Sequence, residues 1–558
     1  MLLPKSNQYR RVYSLNGIWN FQILKETYHP EEPLKKASPM AVPASYNDIV
    51  TAKELTEHVG EVVYEKKFSI PVSDGERYRL RIGAASHKCR VYLNGKLIQE
   101  GKSGYLPVDC PLEALKEENR LSIVIDNRLT FQTLPVGMIE NGKQIINHDF
   151  YNFTGLHRDV CIYTLPKEHI EDIFIHTVED GDYSKIRVEV TGICKNPLYI
   201  IKNAEGSNVA ESREPIFNLP EPEIWSPRSP YLYTLKVITE TDCYEEQFGI
   251  RKVEVRDGKL LLNEQPVYLK GFGMHEDFYL TGKGNCTAVN IRNFELLKWI
   301  GANSVRTSHY PYSEEFMELA DRYGILVIDE VPAVGMNWWH DNFTPDRING
   351  TTLALHKELV SELVARDKNH PSVIMLSLAN EAGTHEPASR PYFKELIQHA
   401  RRQSSLPIMT AEFTKYDEGC QTGDLVDVIG LNRYYGWYTD HGNLNVVEEQ
   451  MKEEMQKYYN GFGKPILITE YGADTIEGLH SLPSESFSEE FQKEYLEACG
   501  KAFDVCDFCI GEQVWNFSDF KTKQGLTRIR GNRKGVFTKD RQPKQAAHYL
   551  KSRWTEMT

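Results

Sequence analysis

A chain of 558 residues is longer than one hydrophobic core supports, since single cores stop growing near ~250–300 residues, so roughly two to four domains are expected. Acidic residues outnumber basic ones 79 to 65, and the resulting formal charge of −14 excludes the broad basic surface that nucleic acid or an anionic membrane requires. Charged residues at 26% and hydrophobic ones at 41% are ordinary for a globular protein, and no stretch approaches the ~18 apolar residues of a membrane span.

The N-terminus, Met1-Leu-Leu-Pro-Lys-Ser6, has neither an apolar run nor a small-residue cleavage site and does not read as a secretory signal. Ten cysteines are sparse for this length. Cys506 and Cys509 form a lone CxxC with no second pair or ligand-spaced histidines nearby, so buried free thiols are expected rather than zinc ligands. A reducing cytoplasm fits both observations.

From about 12 to 165 the chain reads as short period-two strands between turns, such as Glu61-to-Ile70, Tyr78-to-Ile82 and Leu121-to-Ile125. Asn94-Gly95 after Arg90-Val-Tyr-Leu93 is a hairpin signal. An N-terminal jelly-roll β-sandwich over 1–165 is expected. A second strand-rich stretch, including Ile173-to-His176, Lys185-to-Val190 and Tyr231-to-Val237, suits an immunoglobulin-like β-sandwich over 166–250. It lacks a Cys…Trp…Cys arrangement, so only the architecture is read.

From 251 to 558 the pattern alternates strand and helix. Strands are expected at 267–272, 304–308, 325–329, 373–378, 407–410, 428–431, 465–469 and 511–516. Helices are expected at 314–323, 355–368, 392–402, 446–459, 489–502 and 545–553. Eight such strands give a C-terminal (β/α)8 TIM barrel. The competing doubly wound sheet would show a glycine-rich nucleotide turn after an early strand, and none is present.

In such a barrel, residues just past the C-terminal strand ends face the active site. Those positions hold His275-Glu-Asp277, Arg306-to-His309, Asp329-Glu330, Asn380-Glu381, Asn432-to-Tyr435, Glu470 and Trp515. Glu381 and Glu470 follow apolar runs that would otherwise be buried strands, where a carboxylate is costly unless it is paired or catalytic. One such glutamate is as readily an ion-pair partner; two on the fourth and seventh strands suit glycoside hydrolysis, one protonating the leaving oxygen and the other attacking the anomeric carbon.

Three segments carry a resemblance. Asn303-Ser-Val-Arg-Thr-Ser-His-Tyr-Pro311 with Asp321-Arg-Tyr-Gly324 looks like the first signature of glycoside hydrolase family 2. Asp367-to-Glu381 looks like the second, and Ile468-Thr-Glu-Tyr-Gly472 resembles the nucleophile segment. The chain as a whole, including Trp225-Ser-Pro227, resembles that family and, within it, the bacterial β-glucuronidases. The resemblance implies Glu381 as general acid/base, Glu470 as nucleophile and Asn380 as the partner of the sugar 2-hydroxyl. It further implies that Tyr434 orients the nucleophile, that Tyr438 lies near the sugar carboxylate, and that His309 and Trp515 are pocket walls. A lone Tyr, His or Trp is otherwise most often core packing.

The sugar is addressed by Arg528-Ile-Arg-Gly-Asn532-Arg-Lys534, which resembles the Asn-x-Lys element that binds the glucuronide carboxylate. A carboxylate wants a cation plus a neutral donor, and Asn532 and Lys534, two apart, can point the same way from an extended loop, with Arg528 as a third member. Outside a barrel the same run would read as a solvated basic loop. Asp149, by itself a turn former, matches a position where the first domain reaches the sugar hydroxyls. The resemblance thus implies a retaining exo-β-glucuronidase acting on a small-molecule glucuronide, its aglycone small or bulky, with β-galacturonidase or β-galactosidase as the alternatives within the family. It implies no metal or cofactor, no nucleic-acid or membrane partner, and a homo-oligomer, dimer or tetramer. One departure stands out: the stretch 334–352 is short where many gut-bacterial relatives carry a longer insertion over the leaving group, and its Trp338, Trp339 and Phe343 could stack on an aglycone or pack.

Overall fold

The computed structural model describes residues 2–179, 181–336, 343, 344 and 346–557. The N-terminal part is a sandwich of a four-stranded and a six-stranded antiparallel sheet, with Trp19, Tyr64, Leu80, Val91 and Ile123 packed between them. Asn94 and Gly95 both take positive φ (51° and 88°), the mirror-image turn that matches strand twist and joins Lys88–Leu93 to Lys96–Gly101. A second sandwich follows, in which Ile170–Glu179, Asp182–Gly192 and Ile216–Asn218 face a four-stranded sheet. Its core is Ile173, Ile186, Ile201, Leu235 and Phe248.

The C-terminal part is a closed eight-stranded parallel barrel. Its strands are β1 (Leu269–Gly273), β2 (Ser304–Arg306), β3 (Leu326–Glu330), β4 (Val373–Asn380), β5 (Ile408–Glu412), β6 (Val428–Asn432), β7 (Ile466–Tyr471) and β8 (Cys509–Val514). Pairing of Leu269 with Gly511 closes the ring. Around it lie α1 (Thr287–Ile300), α2 (Glu314–Tyr323), α3 (Gly350–Asp367), α4 (Ser389–Gln403), α5 (Val447–Phe462), α6 (Glu489–Asp504) and α7 (Gln545–Glu556). Ser313 and Ser488 cap α2 and α6, each accepting a backbone N–H at 3.2 Å, with two glutamates in each first turn. A small antiparallel sheet, Val253–Arg256 with Lys259–Leu262, packs Leu260 and Leu262 against Leu326, Met375 and Leu467 and plugs the N-terminal end of the barrel.

Helix α1 was not expected from the sequence. Its buried face carries Asn290 and Asn293, which break the apolar repeat. Each is satisfied by a distant partner: Asn293 accepts from Arg541 at 2.9 Å and Asn290 donates to Glu315 at 2.9 Å. The fifth unit has no α-helix among the described residues; a single 3-10 turn, Tyr416–Glu418, lies between β5 and β6. Cys506 and Cys509 are free and buried, as are Cys89, Cys110, Cys243 and Cys499. No helix among the described residues is long and apolar enough to cross a membrane.

Candidate active site

At the C-terminal end of the barrel, β2 delivers Arg306, fully buried, between two carboxylates. Its guanidinium donates to Glu330 of β3 at 2.8 Å and to Glu470 of β7 at 2.6 Å, and reaches the Asn380 amide oxygen at 3.3 Å. Glu330 also faces His309 Nδ1 at 2.7 Å and accepts the Ser377 hydroxyl at 2.7 Å. Burial alone would raise that carboxyl, but Arg306 and His309 outweigh it and hold Glu330 at about 2. The His309 ring lies parallel to Trp515 at 5.1 Å, and burial pushes the imidazole below its ordinary value.

The chain leaves β4 through the left-handed region at Glu381, with φ 50°, an uncommon conformation for a residue with a Cβ and one that clusters at functional positions. Its carboxylate accepts from Asn432 at 2.9 Å, and the same amide reaches Asn380 at 3.1 Å. Asn432 is fixed by the Thr469 hydroxyl at 2.7 Å. Glu470 accepts the Tyr434 hydroxyl at 2.7 Å on its second oxygen. Two residues on, Gly472 passes so close to β8 that a Cβ there would lie 2.0 Å from the Trp515 carbonyl, so only glycine fits.

Burial raises both carboxyls. Glu381 lies above its ordinary value with one amide donor to offset the loss of water. Glu470 rises to about 8, against the pull of Arg306 and the Tyr434 hydroxyl, and the charge of Glu381 adds to the rise. A guanidinium and a phenol favour the anion on Glu470, whereas Glu381 has one neutral donor. When the two share one proton it therefore sits on Glu381, which removes the smaller part of the rise on Glu470, the part due to the charge of Glu381, and leaves the part due to burial.

The opposite wall comes from the first sandwich and the loop after β8. The loop 147–154 enters the barrel mouth, with Phe150 against His148, His275 and Tyr310 at ring distances of 3.8, 5.1 and 5.6 Å. It presents Asp149, to which Arg528 Nε donates at 3.0 and 2.8 Å and Asn532 at 2.9 Å. Arg528 also donates to the Tyr438 hydroxyl at 2.7 Å, and Lys534 reaches the same oxygen at 2.8 Å. Asn532 and Lys534 thus point to one side, toward the Asp149 and Tyr438 wall.

A cavity of about 370 Å³ joins these parts. Nine of the eleven residues read from the sequence line it: Asp149, His309, Asn380, Glu381, Tyr434, Tyr438, Glu470, Trp515 and Arg528. Asn532 and Lys534 lie one layer behind, at 1% and 0% exposure. Trp338 and Trp339 lie outside the described residues, and Phe343 packs on Tyr392 and Phe393 at 5.6 and 6.2 Å. The sequence reading gave no role to Arg306, Glu330, Asn432 or Asp474, although each stands at or within four residues of a strand end. Asp329, beside Glu330, points the other way, toward a cleft of about 530 Å³ between the second sandwich and the N-terminal end of the barrel. Among the described residues no cluster of histidine, cysteine and carboxylate side chains is arranged to hold a metal ion.

Known proteins resemble the chain over its full length. Family models described as "Glycosyl hydrolases family 2, sugar binding domain", "Glycosyl hydrolases family 2" and "Glycosyl hydrolases family 2, TIM barrel domain" match residues 12–166, 168–251 and 253–558. A β-glucuronidase of Paenibacillus borealis is 44% identical, with 100% of this chain and 99% of that protein aligned. Among solved structures, an uncultured Clostridium sp. β-glucuronidase superposes with a TM-score of 0.96 at 44% identity, covering 100% of both chains. The structure of β-D-glucuronidase for Dictyoglomus thermophilum gives 0.95 at 43% identity, covering 100% of this chain and 99% of that one.

Proposed function

Because the chain belongs to glycoside hydrolase family 2, we propose that it is a retaining exo-β-glucuronidase, releasing glucuronate and an aglycone from β-D-glucuronides. The observation that carries the reading is one 370 Å³ cavity with Glu381 and Glu470 on one side and Arg528 on the other, Lys534 and Asn532 behind it. Paired carboxylates supply hydrolysis; guanidinium, ammonium and amide supply recognition of a sugar carboxylate.

Glu381 protonates the glycosidic oxygen as Glu470 attacks C1, giving a covalent glycosyl-enzyme. Arg306 and Tyr434 hold the attacking carboxylate in line. Once the leaving group departs, Glu381 is the base that takes a proton from water, which then displaces Glu470 with net retention. Asn380, held between Arg306 and Asn432, hydrogen-bonds the 2-hydroxyl, a contact that strengthens as charge develops at the ring. Asp149 meets ring hydroxyls, and Arg528, Asn532, Lys534 and Tyr438 meet the C6 carboxylate. His309 and Trp515 form the wall against the sugar.

The test compares turnover of p-nitrophenyl β-D-glucuronide, β-D-galacturonide and β-D-galactoside. The glucuronide is expected to be fastest. Faster galacturonide hydrolysis would assign the same clamp to the C4 epimer, and faster galactoside hydrolysis would remove the uronate reading altogether. Proton NMR of the first-formed sugar anomer tests retention; an α-anomer as first product rules it out.

A further inference from the structure

We infer that Asp474 is the positioning residue of the uronate clamp, holding Lys534 from behind so that its ammonium is fixed where the sugar carboxylate arrives. The inference rests on the glucuronidase reading of the same cavity. Lys534 has no exposed surface, and its ammonium sits in an aromatic cage, 4.6 Å from the Tyr438 ring, 5.3 Å from Trp437 and 5.7 Å from Tyr434. A buried ammonium is costly without a counter-charge. Among the described residues Asp474 is the one carboxylate within ion-pair distance of it.

Asp474 is itself 3% exposed and does not line the cavity. One oxygen accepts the Arg533 N–H at 2.9 Å; the other meets Lys534 and lies 3.5 Å from Arg528. Burial would push this carboxyl up, but Lys534 and Arg528 outweigh it and hold it below the ordinary carboxylate range. The segment Glu470-Tyr-Gly-Ala-Asp474 therefore ties the nucleophile and the cationic loop to the same strand end. An ammonium has three donors. Tyr438 and Asp474 take two of Lys534's, which leaves one for the substrate. Asp149 plays a different part: it faces the cavity and shares Arg528 with the incoming sugar.

Asp474→Asn keeps the shape and the acceptor for Arg533 but removes the charge. The KM for p-nitrophenyl β-D-glucuronide is expected to rise about tenfold while kcat changes less than about threefold, since the lost contact orients a binding group and not the reacting atoms. Inhibition constants give the second readout. An uronic isofagomine is expected to weaken about tenfold in Asp474→Asn, and the neutral isofagomine hardly at all. Asp474→Glu, which keeps the charge, is expected to restore most of the uronate preference. Should the asparagine protein fail to fold, Asp474→Ser, small and uncharged, is read the same way. A neutral variant with the wild-type inhibitor ratio overturns the inference, and so does a fall in kcat with KM unchanged. A wild-type enzyme with no preference for the uronic inhibitor removes the glucuronide reading itself, an outcome distinct from an unchanged ratio on mutation.

Discussion

The two glutamates of the site differ in their neighbours, and the roles proposed for them follow from that difference. Glu470 has a guanidinium at 2.6 Å and a phenol at 2.7 Å, whereas Glu381 has one amide at 2.9 Å. The proposed mechanism needs the proton on Glu381 and the charge on Glu470. Burial raises both carboxyls, so the rate is expected to fall as pH rises through the ionisation of Glu381 and to fall on acidification as Glu470 is protonated. In Glu381→Gln the alkaline fall should vanish from kcat/KM for p-nitrophenyl β-D-glucuronide, whose leaving group departs without an acid. An alkaline limb that survives that substitution would mean that another group is the acid. Arg306→Lys keeps one charge but cannot bridge Glu330, Glu470 and Asn380 with a planar fork, and a kcat loss of roughly 100-fold is expected. Wild-type kcat in that variant would take the bridge out of the mechanism. Glu381 and Glu470 were legible because each interrupts an apolar run at a strand end. Arg306 was passed over because an arginine beside a strand looks the same whether it meets solvent or two buried carboxylates; only the closed ring brings β3 and β7 to it.

At the scale of elements, sequence patterns worked where one residue class covers a face and failed where tertiary partners satisfy a polar face. All eight strands lie within a few residues of their expected positions; β4 and β7 open on clear apolar runs, whereas β2, Ser-Val-Arg, has a single apolar residue. The α1 helix hid its face behind two asparagines. The junction of α2, the loop after α3 and the second sandwich is held by polar groups of the same kind. Trp225 donates to the Asp321 carbonyl at 2.9 Å, and Asn369 donates to Ile173 and accepts from Ile175 at 2.9 and 3.0 Å. His370 meets the Asp321 carboxylate at 2.5 Å. Burial pulls His370 down, but Asp321 outweighs it and lifts the imidazole to about 9 from an ordinary value of 6.5. A folded-state value above the unfolded one stabilises fully below pH ~6.5, and that contribution fades as pH rises through about 9. It amounts to roughly 1–3 kcal/mol. Wild-type Tm is therefore expected to fall between pH 6 and pH 9.5 more steeply than that of His370→Asn, measured calorimetrically in matched buffers. Parallel Tm profiles for the two proteins would show that the ionisation of His370 is not linked to folding.

At the scale of the whole molecule, the site belongs to neither the barrel nor the sandwich alone. A charge of −14 excludes a broad basic surface but not an anionic substrate, because one sugar carboxylate needs only the few cations of the 528–534 loop. Asp149 could be placed only by resemblance, since nothing in a loop of the first sandwich announces that it will enter a barrel mouth more than a hundred residues away. What holds it there is a buried polar seam. Arg158, 7% exposed, donates to the Tyr105 and Pro311 carbonyls at 2.6 and 2.7 Å and to Glu276 at 3.1 Å. Glu276, just past β1, in turn accepts the Ser313 N–H at 2.8 Å at the start of α2. Arg81 adds a bridge to Glu314 at 2.7 Å and Asn147 one to the Gly335 carbonyl at 3.1 Å. Replacing Arg158 by leucine keeps an apolar stem but leaves Glu276 buried without its ion-pair partner, which costs about 3–5 kcal/mol when one partner of a buried pair is removed. The loss is expected in chemical denaturation of the intact enzyme. Because the seam also aims the 147–154 loop, KM for the glucuronide is expected to rise as well, although Arg158 touches neither glutamate of the site. Unchanged stability with a raised KM would reduce the seam to an aiming device, and unchanged KM with lowered stability would mean that Asp149 is held in the mouth by Arg528 and Asn532 alone.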